Sequence, residues 1–334
     1  MEQYSYEILS TYGEGTFGVV YKARQKPSEK LVAIKKSIEI RYERPVHERV
    51  ENERRVMDIL KHENVISLIP CDDASRHLSP TLSRFNVQLG INSLIFPFCP
   101  LTLRILLDEY TLPLSEIKSC MWMILSGIAH IHECKIIHRD LSPKNILISD
   151  SGVIKIGDFD DAWIESYSGN EKRGEMRFEI GTRIYRAPEL LFSSGNYSYA
   201  VDLWSVGCIF AEFFTENVGY PLFDGGSDIE QLCKIFRILG VANELNWPEV
   251  IEYPDYGKFK FVESDSVGLT IKHLPHANKE IIDFIAKFLR YPTKERMTAQ
   301  KVLQDSLFKS NDFSKFFINI SCLKKKKHNL SLIQ

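Results

Sequence analysis

Ile136-Ile137-His138-Arg139-Asp140-Leu141-Ser142-Pro143-Lys144-Asn145-Ile146-Leu147-Ile148 is followed, one short turn later, by Lys155-Ile156-Gly157-Asp158-Phe159. Apolar runs the length of buried strands flank two polar loops. The loops carry one carboxylate (Asp140), one amide (Asn145) and a second carboxylate (Asp158), with little else beside them. Hard oxygen donors of that kind suit Mg²⁺. A carboxylate beside a bound hydroxyl suits the orientation of a nucleophile. Together they meet the needs of phosphoryl transfer from ATP, with Asp140 as catalytic base and Asn145 and Asp158 on the metal. Any one of these residues alone reads equally well as a turn cap. The ordered string carries the inference.

The order His-Arg-Asp…Asn, then Asp-Phe, resembles the catalytic and magnesium-binding loops of protein kinases. The resemblance implies an α+β, bilobal fold: a small antiparallel β lobe with one helix, and a large, mainly helical lobe. It implies an N-lobe over residues 1–97, a C-lobe over 98–310 and a basic C-terminal tail over 311–334.

Working back toward the N-terminus, residues 6–40 alternate apolar and polar character around glycines, as hairpin strands do. They contain Gly13-Glu14-Gly15-Thr16-Phe17-Gly18-Val19-Val20. Alone, this glycine pattern also opens dinucleotide-binding folds, where a helix follows. Here Val19–Ala23 continues as strand, and the next strand delivers Val32-Ala33-Ile34-Lys35, the kinase lysine motif. Residues 46–61 form a charged amphipathic helix with Val50, Val56, Met57 and Leu60 inward. Of its acids, register selects Glu53 as the partner of Lys35, and leaves Glu48 and Glu51 to solvent. The nucleotide site implied by the resemblance comprises Tyr12, Gly13, Glu14, Gly15, Thr16, Phe17, Gly18, Val20, Ala33, Lys35, Glu53 and Cys99. Its cofactors are ATP and Mg²⁺.

Ser93–Phe98 reads as a strand entering the hinge between lobes, with the Pro97 carbonyl and Cys99 amide on the adenine edge and Phe96 behind it. Residues 70–92, rich in Ser, Asp and Asn, form a longer connection than the fold requires. Helix-length segments follow at 101–110 and 115–134, the second with an apolar stripe through Ile117, Met121, Ile124, Leu125 and Ile128. The resemblance also pairs Glu189 of Ala-Pro-Glu with Arg296, and places Asp202 against the catalytic-loop backbone.

Composition agrees with a soluble globular chain: 334 residues, 44% hydrophobic, 26% charged, net charge -2. That balance gives no pull toward nucleic acid or anionic membrane, so neither is an expected partner. The seven cysteines are scattered, as in a reduced compartment. The run Lys324-Lys325-Lys326-Lys327 reads as a nuclear signal or as a solvated tail, and a cytoplasmic and nuclear location is expected.

The match is most specific in Tyr185–Leu191, Ala200–Glu212, Pro221-Leu222-Phe223 and Trp247-Pro248, which resemble cyclin-dependent kinases. The departures point to a branch. Where those kinases carry the helix motif gripped by cyclin, this chain reads His47-Glu48-Arg49-Val50-Glu51-Asn52-Glu53, a charged and solvated face. A cyclin is therefore not an expected partner, and a monomer is. The Phe96-Pro97-Phe98 hinge resembles the fungal single-subunit kinases that activate cyclin-dependent kinases, whose protein substrates are other cyclin-dependent kinases. The alternatives are a conventional cyclin-dependent kinase and a pseudokinase scaffold.

Three further departures matter. Ser142 stands where a Lys normally contacts the transferred phosphate, and Lys144 is placed to supply that charge. Asp160 replaces the glycine after Asp158-Phe159, whose freedom at positive φ an Asp tolerates less well. Arg177 occupies the position of the activating Thr, and residues 169–181 contain no Ser, Thr or Tyr. Of the three arginines that clamp a phosphate there, Arg139 remains, while Asn52 and Trp163 replace the others. Glu175 or Glu179 is expected to pair with Arg139 instead.

Overall fold

The computed structural model describes residues 5–15, 18–39, 44–70, 92–167, 171–262, 266, 268–310 and 312–326. Thr16, Phe17 and residues 71–91 of the long connection lie outside the described residues.

The N-terminal lobe is a four-stranded antiparallel sheet in the order β1-β2-β3-β4, made of β1 (Ser5–Gly15), β2 (Gly18–Lys26), β3 (Leu31–Ser37) and β4 (Ser93–Pro97). Period-2 alternation buries Tyr6, Ile8, Ala23, Val32, Ile34 and Ile95 in a small core of their own. Helix α1 (Val46–Ile59) lies between β3 and β4 in sequence. Val50, Val56 and Met57 are buried on it, as its amphipathic spacing requires.

On α1 the burial of Arg49 and Asn52 departs from the sequence expectation, while Glu53 inward and Glu51 and His47 outward agree with it. Arg49, Asn52 and Glu53 are all buried, so the face expected to be solvated points largely into the protein. The reason is that Arg49 and Asn52 find partners on the loop after Phe159, and Glu53 on Lys35 and the Phe159 N–H, as described below. Glu51 is exposed and pairs with Arg55 at 3.5 Å. His47 is exposed as well.

The C-terminal lobe is mainly helical. Its small strands β5 (Leu101–Thr102), β8 (Ile146–Ile148) and β9 (Ile154–Ile156) form one sheet, and β7 (Ile136–Ile137) pairs with β10 (Trp163–Ile164). These two small sheets hold the catalytic stretch between buried apolar flanks. Around them run α2 (Leu103–Glu109), β6 (Tyr110–Thr111), α3 (Leu114–Glu133), α4 (Pro188–Leu191), α5 (Ala200–Glu212), α6 (Asp228–Leu239), α7 (Lys279–Ala286) and α8 (Ala299–Val302). The α3 stripe Ile117, Met121, Ile124, Leu125 and Ile128 is buried as expected. Every residue of α5 is buried, which fits its near-continuous apolar sequence.

The basic run does not leave the fold at Lys324. Lys324–Lys325 forms β11, antiparallel to β6. Lys326 then donates to the carbonyls of Leu107 (2.7 Å) and Val218 (2.9 Å). No described helix is long and apolar enough to cross a membrane.

Candidate active site

Between the lobes lies a cleft of about 350 Å³, lined by Tyr12, Gly13, Val20, Ala33, Lys35, Glu53, Phe96, Cys99, Lys144, Asn145 and Asp158 among others. Its roof is the β1–β2 hairpin. Tyr12 leans from that hairpin to the hinge, donating its hydroxyl to the Pro100 carbonyl (2.6 Å) and meeting the Phe98 ring edge-on at 5.0 Å. Glu14, Gly15 and Gly18 belong to the same hairpin but are not part of this lining, and Thr16 and Phe17 lie outside the described residues. The Cys99 thiol is pushed up to about 11 by burial, which makes it a wall and not a nucleophile.

The polar end of the cleft is organised by Lys35 on β3. Its ammonium donates to Glu53 Oε2 (2.7 Å), Asp158 Oδ1 (2.7 Å) and Asp160 Oδ1 (2.8 Å). The pairing with Glu53 is the one expected from register. Glu53 does a second task, accepting from the Phe159 backbone N–H at 3.2 Å. That bond ties α1 to the magnesium loop.

Three carboxylates around one ammonium do not share it equally. Burial opposes the charge on Lys35, but Asp158, Asp160 and Glu53 together raise its pKa well above the ordinary value. Burial and the neighbouring acids push Glu53 and Asp158 upward. Asp160 goes the other way: burial works against its ionisation, yet Lys35 and Arg49 bring it down to about 2. Asp160 is thus the firmly ionised member of the group.

The catalytic loop is fixed from below. Asp202, fully buried on α5, accepts from the backbone N–H groups of His138 and Arg139, both at 2.9 Å. This matches the expected role. Arg139 has φ +70°, a left-handed conformation those two bonds sustain. Asp140 Oδ1 accepts from the Thr182 N–H and hydroxyl, each at 2.8 Å, and Oδ2 accepts from Asn145 Nδ2 at 3.1 Å. Asn145 also donates to the Asp140 carbonyl (2.8 Å). The expected base and the expected metal amide are therefore locked together. Lys144 is exposed at the cleft, while Ser142 is buried beneath it.

Positive φ in the magnesium loop falls on Asp158 (+66°), not on Asp160. The strain expected at Asp160 is therefore absent. Asp160 is 5% exposed and serves as an ionic partner where glycine would leave a gap.

The expected partner of Arg139 was Glu175 or Glu179. It is Glu171, which accepts from Arg139 Nη1 (2.5 Å) and Nη2 (3.2 Å) and from Arg177 Nε (3.0 Å). Burial alone would raise Glu171, but the two guanidinium groups bring it down to about 2. Arg177 also reaches Asp161 at 3.0 Å, and Trp163 donates its indole N–H to the Glu171 carbonyl at 3.1 Å. Both residues that replace the usual Thr and Arg hold the same glutamate. Proximity along the sequence does not reveal this partner, because the chain folds back and brings the earlier acid to Arg139.

Sequence reasoning also passed over Thr182, Arg44 and Asp160 as site residues. Thr182 lies between the loop of residues 169–181 and Tyr185–Leu191, where no spacing assigns it a task. The other two act through α1–loop packing, which no spacing reveals.

A protein kinase domain model matches residues 6–308. The chain belongs to the protein kinase family. The kinase is 37% identical over 309 residues to cyclin-dependent kinase 20 of Danio rerio, covering 92% of this chain and 84% of that protein. It is 34% identical over 314 residues to cyclin-dependent kinase 9-A of Xenopus laevis, covering 92% and 81%. It is 34% identical over 300 residues to cyclin-dependent kinase D-1 of Arabidopsis thaliana, covering 89% and 69%. These relatives place the kinase among homologues of the cyclin-dependent kinases. The family uses ATP and Mg²⁺ generally. The residues fit both: an apolar slot with the Lys35 ammonium at its polar end for ATP, and the carboxylate and amide oxygens of Asp158 and Asn145 for the metal.

Substrate-side geometry is also formed. Gly181 has φ +71°, and a Cβ there would sit 2.2 Å from the Arg139 carbonyl, so only glycine fits. Its own carbonyl accepts from Arg186 Nε (3.0 Å) and Nη2 (2.9 Å).

Proposed function

We propose that the kinase transfers the ATP γ-phosphate to Ser or Thr hydroxyls of proteins, with the activation-loop Thr of cyclin-dependent kinases as substrate. It does so as a monomer, without a cyclin and without phosphorylation of its own loop. The observation that supports this most is the position of Glu171. A permanent carboxylate bridges Arg139 of the catalytic loop and Arg177 of the activation loop. A phosphate would perform the same bridging in a relative that is switched on. The substrate assignment rests on the hinge resemblance, and a nuclear as well as cytoplasmic location rests on the Lys324–Lys327 run alone.

In this mechanism Asp140, its Oδ1 fixed by Thr182, orients the acceptor hydroxyl and takes its proton. Lys35, held by Glu53, grips the α- and β-phosphates, and Lys144 supplies positive charge to the transferred group. Asn145 and Asp158 would hold Mg²⁺, which would supply neutralisation of phosphate charge. The Arg186 guanidinium saturates the Gly181 carbonyl, so the residue after the target gains nothing there from a backbone N–H. A proline at that place is accepted without penalty.

The test uses protein made in bacteria and treated with a broad phosphatase. It is assayed without cyclin on a cyclin-dependent kinase made inert at its own catalytic Asp. Undiminished phosphorylation of that substrate's loop Thr is the expected result. Activity that appears only after a cyclin or an upstream kinase is added would overturn the proposal.

The role of Lys144 is separately testable. Lys144→Ala is expected to depress kcat roughly ten-fold or more, with ATP affinity little changed, because a charge at the transferred group acts mainly in the transition state. An unchanged kcat would leave the buried Ser142 with no substitute for the usual lysine.

A further inference from the structure

We propose that Asp160 is a positioning residue that latches α1 to the magnesium loop, so that the chain by itself keeps the Lys35–Glu53 pair assembled. The proposal rests on the reading above that the kinase works without a cyclin, and it supplies a physical means for it.

Asp160 bridges in two directions. Its Oδ1 takes the Lys35 ammonium, and its Oδ2 faces Nη1 of Arg49, from the middle of α1, at 3.7 Å. Arg49 is 1% exposed, so a cation and an anion are buried against each other at the seam between helix and loop. A buried charge of this kind tolerates poorly the loss of its counter-charge, which makes the separated arrangement costly.

The same loop takes two further contacts from this segment. Arg44, two residues before the helix, donates to the Asp160 carbonyl at 2.6 Å. Asn52 donates to the carbonyls of Ala162 (2.9 Å) and Asp160 (3.4 Å). Arg44, Arg49 and Asn52 thus converge on residues 160–162, and Glu53 adds the Phe159 N–H. Arg49, Asn52 and Glu53 all fall in the register of the helix motif that cyclin grips in the resembling family. Here that register is turned toward the loop of its own chain. Two substitutions on separate segments, glycine to Asp160 on the loop and the polar residues on the helix, make one interface.

Two other readings of Asp160 give different outcomes. If its carboxylate mainly competed with phosphates for Lys35, it would be inhibitory. If it merely stabilised the fold, its removal would not act on α1 in particular.

The experiment compares the full-length parent with Asp160→Gly, and with the near-isosteric Asp160→Asn should the glycine variant fail to fold. Amide hydrogen exchange is followed across residues 46–59 and, as an internal reference, across α3. Turnover is measured with ATP and a protein substrate well below the melting temperature of each. The expected result is exchange in α1 faster by roughly ten-fold or more with α3 unchanged, together with a comparable fall in kcat/KM for ATP. Unchanged α1 exchange, a uniform change in both helices, or a rise in kcat would each overturn the latch. The exchange arm stands apart from turnover. Should the phosphatase-treated parent prove inactive alone, faster α1 exchange in Asp160→Gly would still support the latch, and the failure would belong to the cyclin-independent reading.

Discussion

Asp140→Asn is expected to lower kcat by about 10²–10⁴-fold while ATP affinity stays within a few-fold of the parent. The substitution keeps the shape of the side chain and leaves the cleft wall intact, since Asp140 does not line the nucleotide cleft. What it removes is the acceptor. Oδ1 is pinned by two donors from Thr182 and Oδ2 by Asn145, so the carboxylate is aimed without a search through rotamers. An amide in its place presents an N–H to at least one of those donors and has no basicity to receive the proton. Steady-state kinetics with ATP titration separates the two effects. A kcat near that of the parent would mean that Asp140 has been given the wrong role.

Arg296→Met is expected to destabilise the fold by about 3–5 kcal/mol, the usual loss when one partner of a buried pair is removed. Arg296 and Glu189 are fully buried and joined by two parallel bonds of 2.6 and 2.8 Å. Arg296 also donates to the carbonyls of Arg290 (2.7 Å) and Ala200 (3.1 Å). Removing the guanidinium strands a carboxylate at the foot of the activation segment and leaves those carbonyls with one donor fewer. Urea unfolding with an unchanged m-value is the measurement. A loss under about 1 kcal/mol would show that Glu189 finds another partner. Replacing both residues by apolar ones should recover part of the loss, because the desolvation penalty is then lifted with the pair.

What could be read from the sequence was whatever a short, ordered string encodes. The Asp140, Asn145 and Asp158 loops, the Lys35–Glu53 pair, Asp202 beneath the catalytic loop and the Glu189–Arg296 pair all occupy fixed offsets in motifs whose chemistry demands those residue types. The alternation in β1–β4 and the stripe of α3 were legible because burial imposes periods of 2 and 3.6. The misreadings share a cause. Arg49 and Asn52 looked solvated because polarity was taken for exposure, whereas their partners are a carboxylate and main-chain carbonyls more than a hundred positions away. Glu171 was passed over for Glu175 and Glu179 because a loop's fold-back is set by tertiary contacts. Asp160 was weighed for backbone strain, a local property, while its task is long-range and ionic. The lysine run was read as tail, yet β11 closes on β6 through backbone pairing and the Lys326 ammonium binds carbonyls of the fold, contacts that a charge run does not announce.

The central claim is that this chain, alone and unphosphorylated, is a working phosphotransferase. The most direct measurement gives the phosphatase-treated protein ATP labelled at the γ-phosphate, Mg²⁺ and a protein substrate, with Asp140→Asn alongside as the blank. The account predicts label on substrate Ser or Thr from the parent, and next to none from the variant. Binding of ATP with no transfer above that blank would contradict it, and would leave a nucleotide-binding scaffold in place of an enzyme.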